Sequence, residues 1–275
     1  MMWKQRRDGA VGQVELARGE DPGSSADLAF ERMVQEAAVL RRFHLHYQPM
    51  VAVADEAVVG VEALLRWDSD TGRVPPGRFV PVLESTGLMP TVGEWVLAEA
   101  CSELAGWPPA ADLLLTVNVS AAQLVPGFAD VVIRTLSDSG FPGDRLCIDL
   151  TNPARLADPA SAWAELRRLK AQGAKLLIDD FGTAGASIVD LKRFVIDAVK
   201  IDSSFVSGVG IHQEDDAVVT ALIGLAHALG MQVVAEGVET AEQVDRLRAL
   251  GCDFAQGHHF GAPGPAAALR DRITS

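Results

Sequence analysis

The sequence predicts an α/β protein built as a modified (β/α)8 barrel of the TIM type, with one strand antiparallel to its neighbours. Three observations lead there. Eight short apolar stretches fall near residues 43–50, 58–66, 113–119, 145–150, 175–180, 197–201, 231–236 and 253–256. Amphipathic segments of helix length lie between most of them, at 90–106, 120–137, 155–172, 214–229 and 240–250, and alternation of this kind is the mark of βα units. The stretch between the first two strands, from Ala52 to Ala57, is too short for a crossover helix, so that pair is expected to run antiparallel. A doubly wound open sheet is the rival. One that binds a dinucleotide would offer a Gly-rich phosphate turn after its first strand, and none is present.

Taken in order, residues 1–27 are a polar, Gly-rich leader ending in a linker-like Asp21-Pro22-Gly23-Ser24-Ser25. A helical pattern starts at Asp27, with Leu28, Phe30, Val34, Ala38 and Val39 on its apolar side. The barrel domain is expected to occupy 28–270. Gly140, Gly173, Gly230 and Gly251 each follow a periodic segment, the position of a helix C-cap.

Composition removes several function classes. Hydrophobic residues make up 48% and charged residues 22% of 275, ordinary values for a chain that buries a full core. A net charge of −13 opposes coating of a nucleic-acid polymer or an anionic membrane. No run of eighteen apolar residues is present, so no membrane span is expected. The basic start, Met1-Met2-Trp3-Lys4-Gln5-Arg6-Arg7, leads into Asp8-Gly9 and not into an apolar run, so it does not read as a signal peptide. Cys101, Cys147 and Cys252 are widely spaced and form no CxxC pair. They read as buried free thiols, and the expected location is cytoplasmic.

The active site of such a barrel lies at the C-terminal ends of its strands. Those ends are rich in polar residues here: Asn118 and Ser120, Asp149 to Asn152, Asp179-Asp180, Lys200 and Asp202, Glu236, and Gln256. The second strand adds a lone carboxylate, Glu62, among apolar neighbours. Any single Asp at a strand end reads equally as a helix N-cap. Several strands carrying such residues toward one mouth are another matter, because buried carboxylates without cations cost several kcal/mol each. Clusters of Glu, Asp and Asn oxygens suit hard cations such as Mg²⁺ or Mn²⁺, and Lys200 adds a fixed positive charge. The pattern points to metal-assisted chemistry on an anionic substrate such as a phosphate ester.

These residues resemble a known family. Glu62-Ala63-Leu64, within VGVEALLRW, resembles the signature of EAL domains, which hydrolyse the bacterial second messenger cyclic di-GMP to linear pGpG. YQPMV (47–51), NVS (118–120), IDDFGT (178–183), VKID (199–202), AEGVET (235–240) and GCDFAQG (251–257) resemble further motifs of that family, in order and spacing, over about 40–265. The resemblance implies a barrel with one antiparallel strand. It places Glu62, Asn118, Asp149 and Asp179 at first-metal positions and Asp180 at a second-metal position. Lys200 matches a lysine that positions the attacking water, and Glu236 matches a general base. Gln48, Leu65, Arg66, Gln256 and Pro263 match substrate-binding positions, and Asn152 and Glu239 match residues that anchor the loop after the fifth strand. The implied reaction is an in-line attack on phosphorus with two Mg²⁺ or Mn²⁺ ions, the second site being the one in question.

Four departures bear on that expectation. The family's fourth-strand pattern Glu-x-Thr-Glu is here Asp149-Leu150-Thr151-Asn152. Asp149 is one methylene shorter, and Asn152 loses charge-assisted hydrogen bonding to the loop. That loop reads Asp179-Asp180-Phe181-Gly182-Thr183-Ala184-Gly185-Ala186-Ser187, with Ala184 in place of glycine and Gly185 in place of tyrosine, which trades packing for backbone freedom. Near the exit, QGHHF (256–260) replaces a tyrosine-rich run, and Gly261-Ala262-Pro263 lacks the usual basic or hydroxyl residue. Tyr47 is the one tyrosine of the chain, so stacking on guanine must come from other side chains.

Two activities stay open: a slowed cyclic di-GMP phosphodiesterase, or a degenerate domain that binds cyclic di-GMP or a protein partner without turnover. Homodimers are common in the family. His258 and His259 read as substitutes for the rim tyrosines, His44 and His46 as structural, and Asp215-Asp216 as a charged helix start. The segment from Met2 to Leu16 resembles the tail of a GGDEF domain, and reads equally as an unstructured leader.

Overall fold

A computed structural model describes residues 25–108, 113–151, 156–183 and 196–274. The leader up to residue 24, Asn152 and the loop from Ala184 lie outside the described residues.

Eight strands close into a barrel: β1 Phe43–Ala52, β2 Val58–Ser69, β4 Leu114–Ser120, β5 Leu146–Thr151, β6 Lys175–Phe181, β7 Ala198–Ile201, β8 Gln232–Ala235 and β9 Phe254–Gln256. The pairs from β2 through β4 and on to β9 are parallel, whereas β1 is antiparallel to both β2 and β9 and seals the ring between them. The expected antiparallel pair is therefore present. Its turn is tight: Ala52 N–H donates to the Ala57 carbonyl at 2.9 Å, and the Asp55 carboxylate accepts from Ala57 N–H at 3.1 Å. A short strand, β3 Gly72–Val74, folds back on the end of β2 as a hairpin.

Helices cover the ring. Among the described residues they are α1 Ser25–Val39, α2 Pro76–Ser85, α3 Met89–Ala105, α4 Phe128–Ser139, α5 Pro159–Ala171, α6 Gln213–Ala228, α7 Ala241–Ala249 and α8 Ala266–Thr274, with a one-turn helix at Ser203–Val206. The four expected C-cap glycines all take positive φ, from 70° at Gly140 to 92° at Gly173. Asp215 and Asp216 lie in the first turn of α6, as expected for a charged helix start. Two helix boundaries differ from the sequence reading. The segment 120–137 begins as a single 3-10 turn at Ala121–Gln123, and α4 starts only at Phe128. Pro126 and the left-handed Gly127 (φ 97°) separate the two. α5 begins at Pro159 because Asp158 caps it, accepting from Ser161 N–H at 3.1 Å.

The hairpin strand and α2 were not anticipated. They share a core cluster with the first strands, in which Phe79 stacks on Phe43 at 5.3 Å and meets Trp67 edge-on at 5.9 Å. Phe79 and Leu83 are fully buried. They fix which face of α2 turns toward the barrel mouth. Among the described residues no helix is long and apolar enough to cross a membrane.

Candidate active site

Strand register assembles the site. Gln48 of β1 lies opposite Glu62 of β2, and Asn118 of β4 lies beside Asp149 of β5. β7 brings in Lys200, and β8 leads straight into Glu236. Side chains of one parity point into a barrel, and here the inward set at the C-terminal end is polar. Glu62, Asp149, Lys200, Gln48 and Gln256 are all buried.

The Lys200 ammonium is the centre of this set. Its Nζ stands 2.6 Å from Glu236 Oε1, 2.8 Å from Asp149 Oδ2 and 3.1 Å from Glu62 Oε2. Glu62 is held from two further sides: Asn118 Nδ2 donates to Oε1 at 2.6 Å, and Gln256 Nε2 donates to Oε2 at 2.7 Å. Gln256 also donates to Gln48 Oε1 at 2.9 Å, and Gln48 in turn donates to the Gly261 carbonyl at 3.1 Å. The network thus runs from β4 across the mouth to the chain beyond β9.

Charge is short of balance. The carboxyl groups of Glu62, Asp149 and Glu236 share one ammonium. Burial raises the Glu62 carboxyl, but Lys200 and the two amide donors outweigh it and hold it below its ordinary value. Asp149 lacks those donors. Burial pushes it well above the usual carboxylate range, against the pull of Lys200. Glu236 is pushed up to about 7 by burial, against the pull of Lys200 and with help from the charges of Asp179 and Glu62. Burial disfavours the Lys200 charge, yet its three carboxylates more than offset this and hold it well above its ordinary value.

Asp179 and Asp180 sit in β6 where its register with β7 shifts, between Ile178 and Phe181. Asp180 N–H donates to Asp179 Oδ1 at 2.8 Å, and Asp180 adopts φ 56°. Both side chains are half-buried, and burial, with the charges of Asp179 and Asp202, raises the Asp180 carboxyl.

Two cavities meet at Glu62, Leu64 and Glu236. The larger, about 570 Å³, is lined by Asn118, Asp179 and Lys200, by Leu65 and Arg66 of β2, and by α2 and α3. The smaller, about 280 Å³, is lined by Gln48, Ser203, Glu239, Gln256 and His258. Asp180 and Pro263 line neither. Glu239 lines the smaller cavity, while Asn152, expected to anchor the same loop, is outside the described residues. His259 packs edge-on against Phe260 at 4.9 Å, as a rim residue would. Sequence reasoning missed the α2 wall, comprising Pro76, Gly77, Val80, Pro81 and Glu84. The available signal was the spacing 76, 80, 84.

The donor set fits a hard divalent cation. Asp149 is fully buried, and its Oδ1 has no hydrogen-bond partner. Asn118 spends its amide N–H on Glu62, which leaves its carbonyl oxygen as a donor. Glu62 and Asp179 complete an all-oxygen set of the kind Mg²⁺ or Mn²⁺ takes. Among the described residues no three His, Cys, Asp or Glu side chains are grouped so as to hold a metal ion, and the carboxylates of Glu62, Asp149 and Glu236 converge on the Lys200 ammonium.

Comparison with known proteins gives the family. An uncharacterized signaling protein of Caulobacter vibrioides is 42% identical over 82% of this chain and 28% of its own length. The bifunctional diguanylate cyclase/cyclic di-GMP phosphodiesterase MucR of Pseudomonas aeruginosa is 35% identical over 98% of this chain and 40% of its own length. The chain thus spans well under half of these curated relatives. Among solved structures, the MucR phosphodiesterase in complex with c-di-GMP superposes with a TM-score of 0.80 at 38% identity, covering 89% of this chain and 99% of that one. The EAL enzyme Bd1971, in a form with cAMP and cyclic-di-GMP bound, superposes with a TM-score of 0.86 at 28% identity, covering 90% of this chain and 69% of that one. The EAL domain family model matches residues 31–263. The chain belongs to the EAL domain family.

Proposed function

We propose that this chain hydrolyses cyclic di-GMP to linear pGpG with the help of Mg²⁺ or Mn²⁺. One observation carries the reading: the carboxyl groups of Glu62, Asp149 and Glu236 converge on the buried Lys200 ammonium at the junction of two cavities. A cyclic dinucleotide has its phosphodiesters between two bases, so a site with charge handling at the centre and a lobe on either side suits it.

Glu62, Asn118, Asp149 and Asp179 would hold one cation, with Asp180 the candidate for a second. When bound, the ions supply Lewis acidity at the phosphoryl oxygens. The chain's own residues do the rest. Lys200, fixed by three carboxylates, presents an ammonium that orients a water and neutralises developing negative charge. Glu236, with its carboxyl near neutrality, accepts a proton from that water. Arg66, Gln48 and Gln256 position the substrate, with Leu65 against a base and Pro263 behind the exit. The tested outcome is conversion of cyclic di-GMP to pGpG that requires a divalent cation and Glu62.

A second reading is a receptor that binds cyclic di-GMP, or a partner protein, without turnover. It is favoured by Asn152 and by Ala184-Gly185-Ala186, where the family has Glu and Gly-Tyr-Ser. Restoring Asn152→Glu with Ala184→Gly, Gly185→Tyr and Ala186→Ser should raise the rate sharply if the loop limits catalysis. An unchanged rate removes the loop as the limiting defect. Self-association into a homodimer belongs to the same reading of the family and is tested by the mass in solution.

A further inference from the structure

We propose that Glu84 reads the Watson–Crick edge of one guanine and sets the preference for guanine over adenine. This rests on the reading above, that the ligand is a cyclic dinucleotide. α2 repeats on one face at Pro76, Val80 and Glu84, and its neighbouring face, through Phe79 and Leu83, is fully buried in the core. That anchoring leaves the Glu84 face as a wall of the larger cavity. Away from the Lys200 cluster this wall is apolar, with Val80, Pro81 and Met89 beside Glu84.

A half-buried carboxylate in that setting ought to have a partner. The Glu84 side chain makes no hydrogen bond or ion pair among the described residues; its backbone carbonyl accepts from Gly87 N–H at 3.1 Å. Its natural partner is a ligand donor. The phosphate end of the ligand is excluded by like charge, so the carboxylate faces a base. Guanine offers two adjacent donors, N1–H and the 2-amino group, which two carboxylate oxygens accept together. Adenine offers a lone pair at N1 and no 2-amino group, so its edge gives the carboxylate one donor, the 6-amino group, beside a repelling lone pair. A bidentate match of this kind discriminates between bases by about 10- to 100-fold.

The test compares dissociation constants for cyclic di-GMP, its inosine analogue lacking the 2-amino groups, and cyclic di-AMP, with Mg²⁺ and with chelator. Wild-type protein should bind the inosine analogue about 10-fold more weakly, and cyclic di-AMP about 10- to 100-fold more weakly, than cyclic di-GMP. In Glu84→Leu, which matches the apolar wall and whose folding is checked by its thermal transition, both ratios should fall to within about 3-fold. Should Glu84→Leu fail to fold, Glu84→Gln takes its place. Wild-type protein that binds cyclic di-GMP and the inosine analogue equally, or a folded variant that keeps the wild-type ratios, overturns the role of Glu84 while leaving the proposed function intact. Wild-type protein that binds none of the three overturns the proposed function and this inference with it.

Discussion

The Lys200 ammonium and the Glu236 carboxylate meet at 2.6 Å, yet the Glu236 carboxyl is pushed up to about 7. Burial is the main cause, and the single ammonium is shared with Asp149 and Glu62. Proximity to a cation therefore leaves Glu236 as a group that exchanges protons near neutral pH, which is what a general base requires.

This imbalance has a cost in stability with a definite sign. The folded carboxyl of Glu236 binds its proton more tightly than the unfolded one, whose ordinary value is 4.5. The folded state therefore loses stability as pH rises from about 4.5 to about 7, and the loss is complete above that range. In chelator, Glu236→Gln should be more stable than wild type at pH 8 by on the order of 2 kcal/mol, with the difference vanishing toward pH 4.5. Thermal unfolding at several pH values checks this.

Removing Lys200 has the opposite effect. Lys200→Met leaves Glu62, Asp149 and Glu236 without their shared cation, and breaking a buried ion pair from one side costs about 3–5 kcal/mol. The variant should unfold earlier in chelator. Added Mn²⁺ should restore a larger share of stability to it than to wild type, as read by the shift in unfolding temperature.

Gly257 tests how closely the chain leaving β9 must pass the chain leaving β8. A Cβ there would lie 2.0 Å from the Val238 carbonyl oxygen and 2.3 Å from its nitrogen, with only backbone to move. Gly257→Ala should cost about 3 kcal/mol. It should also loosen Gln256 from Glu62, reducing turnover beyond what the loss of folded protein explains. Denaturant unfolding and activity per folded molecule separate the two effects.

Phe79 tests the α2 wall. Phe79→Ala opens the cluster with Phe43 and Trp67 and should cost about 3–5 kcal/mol. With the helix less firmly seated, KM for cyclic di-GMP should rise more than kcat falls, which steady-state kinetics at low temperature would show.

The barrel was legible in the sequence because its strands are short apolar runs and its helices end at glycines. The antiparallel β1 followed from the five-residue turn at residues 53–57, too short for anything else. The polar cluster was legible for the same reason: Glu62, Asn118, Asp149, Lys200 and Glu236 each stand where an apolar strand ends or breaks its pattern. α2 was not. Pro75, Pro76 and Pro81 read as loop residues, yet Pro76 sits in the first turn, where the missing N–H costs nothing. Pro81 forfeits one bond to Gly77, a loss that burial of Phe79 and Leu83 offsets. Tertiary packing overrides propensity there, and with α2 the sequence also hid Glu84. The positions of Asp180 and Pro263, outside both cavities, depend on a bulge in β6 and a chain exit that no periodicity encodes.

The central claim is that this polar cluster performs phosphodiester hydrolysis. The most direct measurement incubates the purified chain with cyclic di-GMP and Mn²⁺ or Mg²⁺ and separates the products by chromatography, with chelator and Glu62→Ala as controls. The account predicts pGpG from the wild-type chain and none from either control. Clear binding of cyclic di-GMP without any pGpG, or equal product from Glu62→Ala, would contradict it.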